Sequence, residues 1–214
     1  MSTRYELSGQ WIIGIDPGPN ESGIVRGRFN GQAAEHGGSP PACLIGQRAL
    51  LAEISGYFDS NESLLDYPLP QWCQHSLLAI EWPATYGMAV GQSIFQTCFW
   101  AGRFVQRWFQ LGGPIVVPIL RSTVRNLLAG HVRATGQELR NAIYEMYGGD
   151  RKAAHGTKKN PGPLYGISGH CMDALAVALA LAKMIQEGIL EQQTLIIGQR
   201  CRSEQGLDQG QPRP

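Results

Sequence analysis

Apolar and polar positions along this chain repeat with two different periods, and the switches between the two divide it into elements. The first compact apolar run, Trp11-Ile-Ile-Gly-Ile15, stops at Asp16-Pro17-Gly18 and predicts a buried strand closed by a turn. Looser alternation over Gly23–Asn30 predicts an antiparallel partner, and Gln32–Glu35 a third short strand ahead of the loop Gly37-Gly-Ser-Pro-Pro41. Leu50, Leu51, Ile54 and Phe58 recur at helical spacing and predict a helix over Ile45–Phe58. Asp59–Gln71, broken by Pro68 and Pro70, reads as irregular, and His75–Glu81 as a further apolar strand ending in a carboxylate.

The second half is mostly helical. Gly91–Leu111 predicts a long helix with Ile94, Cys98, Ala101, Val105 and Trp108 on one stripe. Phe95, Phe99 and Phe109 widen that stripe beyond what one sheet face needs. Gly112-Gly113-Pro114 ends it, Ile115–Val117 is a short strand, and helices follow over Ser122–Ala129 and Gln137–Tyr147. Gly148–Gly166, basic and rich in Gly and Pro, reads as a loop, and Ile167–Gln186 as a final apolar helix. This order predicts an α/β fold: one mixed sheet of about five strands with helices on its faces. Residues 1–202 are expected to form one domain, and the polar stretch 203–214 a disordered tail.

At 214 residues, with 43% apolar and 16% charged side chains, the composition is that of a globular protein with one good core. Met1–Gln10 lacks the apolar segment of a signal peptide. The longest strongly apolar stretch, Ala174–Ala182, falls far short of the roughly 20 residues that span a bilayer. A cytoplasmic protein with no membrane partner is expected. Five scattered cysteines never pair as C-x-x-C, so reduced, mostly buried thiols are expected rather than a zinc site or a disulfide framework. The net charge of +1 conceals a strong asymmetry. Residues 1–100 carry 4 basic and 9 acidic side chains, whereas residues 101–160 carry 10 basic and 3 acidic. A positive surface beside a carboxylate-bearing half suits a polyanionic partner, although a solvated charged face has the same composition.

Three acids occupy special places. Asp16 and Glu81 each end an apolar strand, and Asp173 lies in the first turn of the last helix with His170 three residues before it on the same face. Neighbouring strand ends lie a few ångströms apart, so Asp16 and Glu81 can converge, and a helix packed over that edge adds His170 and Asp173. Clustered carboxylates repel and lose hydration, and a hard divalent cation relieves both penalties. Mg²⁺ is the expected ion, with Mn²⁺ substituting because an imidazole tolerates it. His170 can also hand a proton to a leaving oxygen. Arg121, Arg125, Arg133, Lys158 and Lys159 flank the acids in sequence and are candidate phosphate contacts.

Ile13-Gly-Ile-Asp-Pro-Gly18, Leu78-Ala-Ile-Glu81 and His170-Cys-Met-Asp-Ala-Leu-Ala-Val-Ala178 resemble, in order and separation, the three catalytic segments of the RuvC-type Holliday-junction resolvases. Pro118-Ile-Leu-Arg-Ser-Thr-Val-Arg-Asn-Leu-Leu-Ala-Gly130 resembles that family's basic segment, and the loop Gly156–Gly166 looks more like its phage-type members. The resemblance implies a ribonuclease-H-like fold and a homodimer that makes paired symmetric nicks at four-way DNA junctions with Mg²⁺ or Mn²⁺. Asp16, Glu81, His170 and Asp173 would then form the site. It places an aromatic wedge shortly after the strand-end Glu, where this chain has Trp82-Pro-Ala-Thr-Tyr86, so Tyr86 or Trp82 is the candidate. A basic residue expected beyond Gly130 is replaced by Thr135-Gly136. Two related readings stay open: a ribonuclease-H-like nuclease acting on flaps or forks, and a junction-binding module without catalysis. The Asp16–Gly23 segment also resembles the first phosphate loop of actin- and sugar-kinase-like ATPases, but no second glycine-rich phosphate motif follows.

Overall fold

A computed structural model describes residues 9–30, 49–73, 75–84, 87 and 90–190. Its strands are β1 (Trp11–Asp16), β2 (Glu21–Phe29), β3 (Leu51–Ser60), β4 (Ser76–Trp82) and β5 (Val116–Leu120). They form one sheet in the order β3-β2-β1-β4-β5. The β1–β2 and β2–β3 pairs are antiparallel, and β4 and β5 extend the sheet in parallel beyond β1. The helices are α1 (Asn61–Asp66), α2 (Leu69–Trp72), α3 (Gln92–Gln110), α4 (Arg121–Ala129), α5 (Gly136–Met146), α6 (Arg151–His155) and α7 (His170–Glu187). The expected mixed sheet flanked by helices is what forms.

Side chains alternate across a strand, so β1 and β4 feed two separate cores. Ile12 of β1 and Leu77 and Ala79 of β4 pack with α4, α5 and α7 on one face. Ile13 and Ile15, with Leu78 and Ile80, pack with α1, α2 and α3 on the other. The same alternation sends the strand-end residues Asp16 and Glu81 to the α7 face. There α7 lies almost flush on the sheet. A Cβ on Gly14 would stand 2.1 Å from the Ala174 carbonyl oxygen, and one on Gly23 would stand 2.2 Å from that of His170. Only residues without a side chain permit this approach. Alanines 174, 176, 178, 180 and 182 keep α7 slim, and all are buried.

Several expectations need correction. Ile45–Phe58 is not a helix where it is described: Leu51–Ser60 is an edge strand paired with β2. The helical spacing of Leu51, Ile54 and Phe58 is fortuitous. Ladder bonds to β2 decide the conformation, and Ser55-Gly56 offers little helix propensity to oppose them. The buried Tyr147 hydroxyl donates to the Leu51 carbonyl at 2.9 Å and fixes the start of this strand. Asp59–Gln71 contains α1 and all but the last residue of α2, and the loop Gly148–Gly166 contains α6, started by Asp150 accepting from the Ala153 N–H. The inward stripe of α3 is Trp100, Ala101, Phe104 and Trp108, whereas Ile94 and Cys98 are exposed. Ala101 therefore faces this chain's own core. The expected strand at Gln32–Glu35, the loop Gly37–Pro41 and the polar tail lie outside the described residues.

A methyl group at residue 14 forces α7 off the sheet. Gly14→Ala should lose about 3 kcal/mol or more of unfolding free energy in a urea titration. Gly102→Ala, on α3 with nothing within 4 Å of the added carbon, is the control and should be neutral or slightly stabilising. Equal midpoints for the two variants would show that the close approach carries no constraint.

Candidate metal centre

Asp16 is the last residue of β1, and Glu81 follows Ile80, the last residue of β4 in register with β1 through the pair Ile15–Ile80. The chain leaving Asp16 is clamped. The Gly18 N–H donates to the Ser22 hydroxyl at 3.1 Å, that hydroxyl donates to the Asn61 side-chain oxygen, and the Asn61 amide returns a bond to the Gly18 carbonyl at 3.1 Å. Ser22 and Asn61 are fully buried, so each polar group in this ring needs its partner. Across the gap, Gly169 starts α7, and its first turn presents His170 and Asp173.

His170 Nδ1 lies 3.1 Å from Asp16 Oδ2. One ligand atom from each of Asp16, His170 and Asp173 falls within 4.8 Å of the others. Glu81 is held differently: Arg121 Nε donates to Glu81 Oε1 at 2.7 Å, while Arg121 Nη2 stands 3.7 Å from Asp16 Oδ1. Of the four residues expected from sequence, three gather directly, and Glu81 joins them through a guanidinium. Phe58 stacks flat on the His170 ring, centroids 5.1 Å apart and planes 9° apart. With Nδ1–H given to Asp16, the ring keeps Nε2 as a free lone pair for a ligand or a proton.

The electrostatics call for a cation. Burial pushes the Asp16 carboxyl up to about 6, and the charges of Glu81 and Asp173 add to that, against the His170 hydrogen bond and Arg121. Burial disfavours the charge on Arg121, but its bond to Glu81 and the fields of Glu81, Asp16 and Asp173 outweigh this and raise its pKa. Two carboxylate oxygens and an imidazole nitrogen, with a third carboxylate adjacent, fit a hard or borderline divalent ion. Asp16, Asp173 and His170 can hold one, with Glu81 the nearest further ligand.

The other expected residues are dispersed. Arg125 is half-buried on α4, Arg133 is exposed in the turn before α5, and Lys158 and Lys159 are exposed in the turn before Pro161. Tyr86 lies outside the described residues. Trp82, next to Glu81, is 42% exposed. Sequence reasoning missed Phe58, hidden inside a segment read as helix. It also missed Arg140, Arg151 and Lys152, which share an open cavity with His170 and Asp173. Arg151 and Lys152 were visible only as part of a basic loop, and nothing in their spacing announces where they point.

Acids at the carboxyl ends of adjacent central strands, with a first-turn Asp on the helix packed over them, define a ribonuclease-H-like fold carrying a candidate divalent-metal centre. Comparison with solved structures gives the particular likeness, a RuvC-like fold. A Thermus thermophilus RuvC structure matches with a TM-score of 0.54 at 20% identity, covering 83% of this chain and 96% of that one. T. thermophilus RuvC in complex with a Holliday junction substrate matches with a TM-score of 0.52 at 22% identity, covering 84% and 96%. No protein-family model matches the sequence, and no curated protein does.

The raised Asp16 pKa has a defined consequence for the metal-free protein. The fold favours the neutral acid, so its contribution is fully present below the ordinary value of 3.8 and is lost as pH rises through about 6. Above that, ionised Asp16 costs about 3 kcal/mol. Asp16→Asn should therefore be more stable than the parent in EDTA at neutral pH, with the advantage fading toward about pH 4 in urea titrations. An advantage independent of pH would rule out the carboxylate charge as its source.

Proposed function

We propose that this chain is a divalent-metal-dependent endonuclease that hydrolyses phosphodiesters in branched DNA, four-way junctions above all, with Mg²⁺ as the working ion and Mn²⁺ as its substitute. The observation that carries the reading is the meeting of Asp16, His170 and Asp173 at the carboxyl edge of the sheet, with Glu81 beside them. Support for the substrate comes from the neighbour described with a Holliday junction, whose fold this chain shares over most of both lengths.

When bound, a divalent ion supplies Lewis acidity toward a phosphoryl oxygen and acidifies an attacking water. The chain's own residues do the rest. Asp16, Asp173 and Glu81 concentrate negative charge where a cation must sit, and the Ser22–Asn61 clamp keeps Asp16 from swinging away. His170, oriented by Asp16 and Phe58, is placed to hold a ligand position or to deliver a proton to the leaving oxygen. Arg121, Arg125, Arg133, Lys158 and Lys159 are assigned to phosphates, and Trp82 or Tyr86 to the unpaired bases at the branch point. The free Cys73, Cys98 and Cys171 suit the reducing cytoplasm, and burial pushes the Cys171 thiol up to about 11, which leaves it inert. No helix among the described residues is long and apolar enough to cross a membrane.

Paired nicks need two sites, and a homodimer supplies them. The outer half of α3 supports this assembly, because Phe95 is 65% and Phe99 59% exposed on a helix otherwise anchored in the core. Sedimentation should give twice the 23.4 kDa chain mass at micromolar concentration, and Phe95→Asp with Phe99→Asp should give the single mass. A parent that sediments as a monomer removes the dimer from the reading.

Labelled four-way junction, fork and linear duplex, each with Mg²⁺ and then with EDTA, test the activity. The junction should be cut first, in Mg²⁺ only, and Asp16→Asn should bind it within about threefold of the parent while losing at least 10²-fold in cleavage rate. A fork cut as fast as the junction would make the chain a fork nuclease. Cleavage by Asp16→Asn at the parental rate would sink the metal centre.

A further inference from the structure

An open cavity of about 940 Å³ adjoins the metal centre on the side of His170 and Asp173. Its opposite wall is built from α5 and α6, which present Arg140, Arg151 and Lys152. None of these three cations forms an ion pair with a described residue. Among the described residues, Asp173 is the only acid that lines the cavity, and it stands at the end toward the candidate metal ligands. Glu145 and Asp150 share a separate, smaller cavity with Arg151. Three cations free of ion pairs with described residues face one space, so an anion can bind there at no cost in broken salt bridges.

The wall is held in place. Asp150 caps α6, Ala154 and Leu164 are fully buried beneath it, and His155 bonds through Nδ1 to the Leu164 carbonyl at 2.8 Å while meeting the edge of Tyr144. A bridge between Gly156 and Pro161 closes the following turn. A Cβ on Gly156 would meet the Asn160 carbonyl oxygen at 2.3 Å, so the turn is packed backbone against backbone. The cations therefore project from a supported surface into a space that runs directly to two candidate metal ligands.

We propose that this cavity is the channel for the sugar-phosphate backbone of the DNA strand being cut. Arg140, Arg151 and Lys152 bind successive phosphates on one side of the phosphodiester held at His170 and Asp173. The inference rests on the nuclease reading and adds the path of the strand to it.

The test measures binding of a fluorescent four-way junction in EDTA, where no cleavage occurs, between about 50 and 200 mM salt. Arg151→Glu with Lys152→Glu, both exposed, should weaken binding at least tenfold and make the slope of log K against log salt shallower by about 2. Arg140→Gln, tested separately, should weaken binding less and change the slope by about 1. Thermal midpoints and Mn²⁺ affinity by electron paramagnetic resonance should match the parent in each case. Affinity within twofold of the parent, or a weaker complex with an unchanged slope, overturns the channel. A parent that binds and cuts junctions while the variants bind equally well defeats the channel alone. A parent that binds no junction defeats the nuclease reading and the channel with it.

Discussion

The contact between α7 and the first two strands is the constraint on which the rest depends. Gly14 and Gly23 have no side chains, so the backbone of α7 rests on β1 and β2 with carbonyl oxygens where Cβ atoms would otherwise stand. That contact fixes the height of His170 and Asp173 above the sheet. A larger residue at either glycine would lift the helix start away from Asp16 and open the cluster before any ligand was altered. Strand alternation and helix packing thus deliver one result, with Asp16 and Glu81 facing the same side as the first turn of α7.

The cluster also explains its own electrostatics. Ionised Asp16 costs the metal-free fold about 3 kcal/mol, judged from a pKa held at about 6. Arg121 stands nearby but is half exposed, and ion pairs of that kind return about 1 kcal/mol or less. The guanidinium therefore reduces the excess charge and does not cancel it, and so Asp16 remains raised despite a cation 3.7 Å away. A divalent ion held by Asp16, His170 and Asp173 would supply twice the charge of that guanidinium. The negative charge left uncompensated is the physical reason for reading the cluster as a candidate metal centre.

Much of this was legible in the sequence, for identifiable reasons. β1, β4 and α7 are continuous apolar segments that end or begin near an acid, and Asp16, Glu81, His170 and Asp173, which the fold brings together, could be singled out because the ends of such segments are local features. The edge strand β3 was not legible. Leu50, Leu51, Ile54 and Phe58 satisfy a helical period by accident, and an edge strand exposes too much of itself to show clean alternation. With β3 went Phe58, whose contact with His170 exists only once Leu51–Ser60 is paired with β2. The inward face of α3 was shifted for a related reason: apolar residues surround that helix, so period alone cannot select Trp100 and Phe104 over Ile94 and Cys98. The basic wall was missed because the convergence of Arg140 with Arg151 and Lys152 is tertiary, brought about by α6 folding back over α5.

The two faces of the sheet divide the labour. On one, α7, α4 and α5 enclose the acids and the basic cavity. On the other, α3 is anchored by Trp100, Phe104 and Trp108 and leaves Phe95 and Phe99 to solvent. Each strand contributes alternate residues to both, as Ile13 and Ile15 do to the α3 face while Gly14 and Asp16 serve the other. The candidate ligands lie on the α7 side and the exposed Phe95 and Phe99 on the other, with the mostly buried strands β1 and β4 between them. Phe95 and Phe99 are therefore far from the contacts that join Asp16, Glu81, His170 and Asp173, none of which involves α3. Gly14 differs, because its missing side chain lets α7 settle on β1 beside the candidate metal centre.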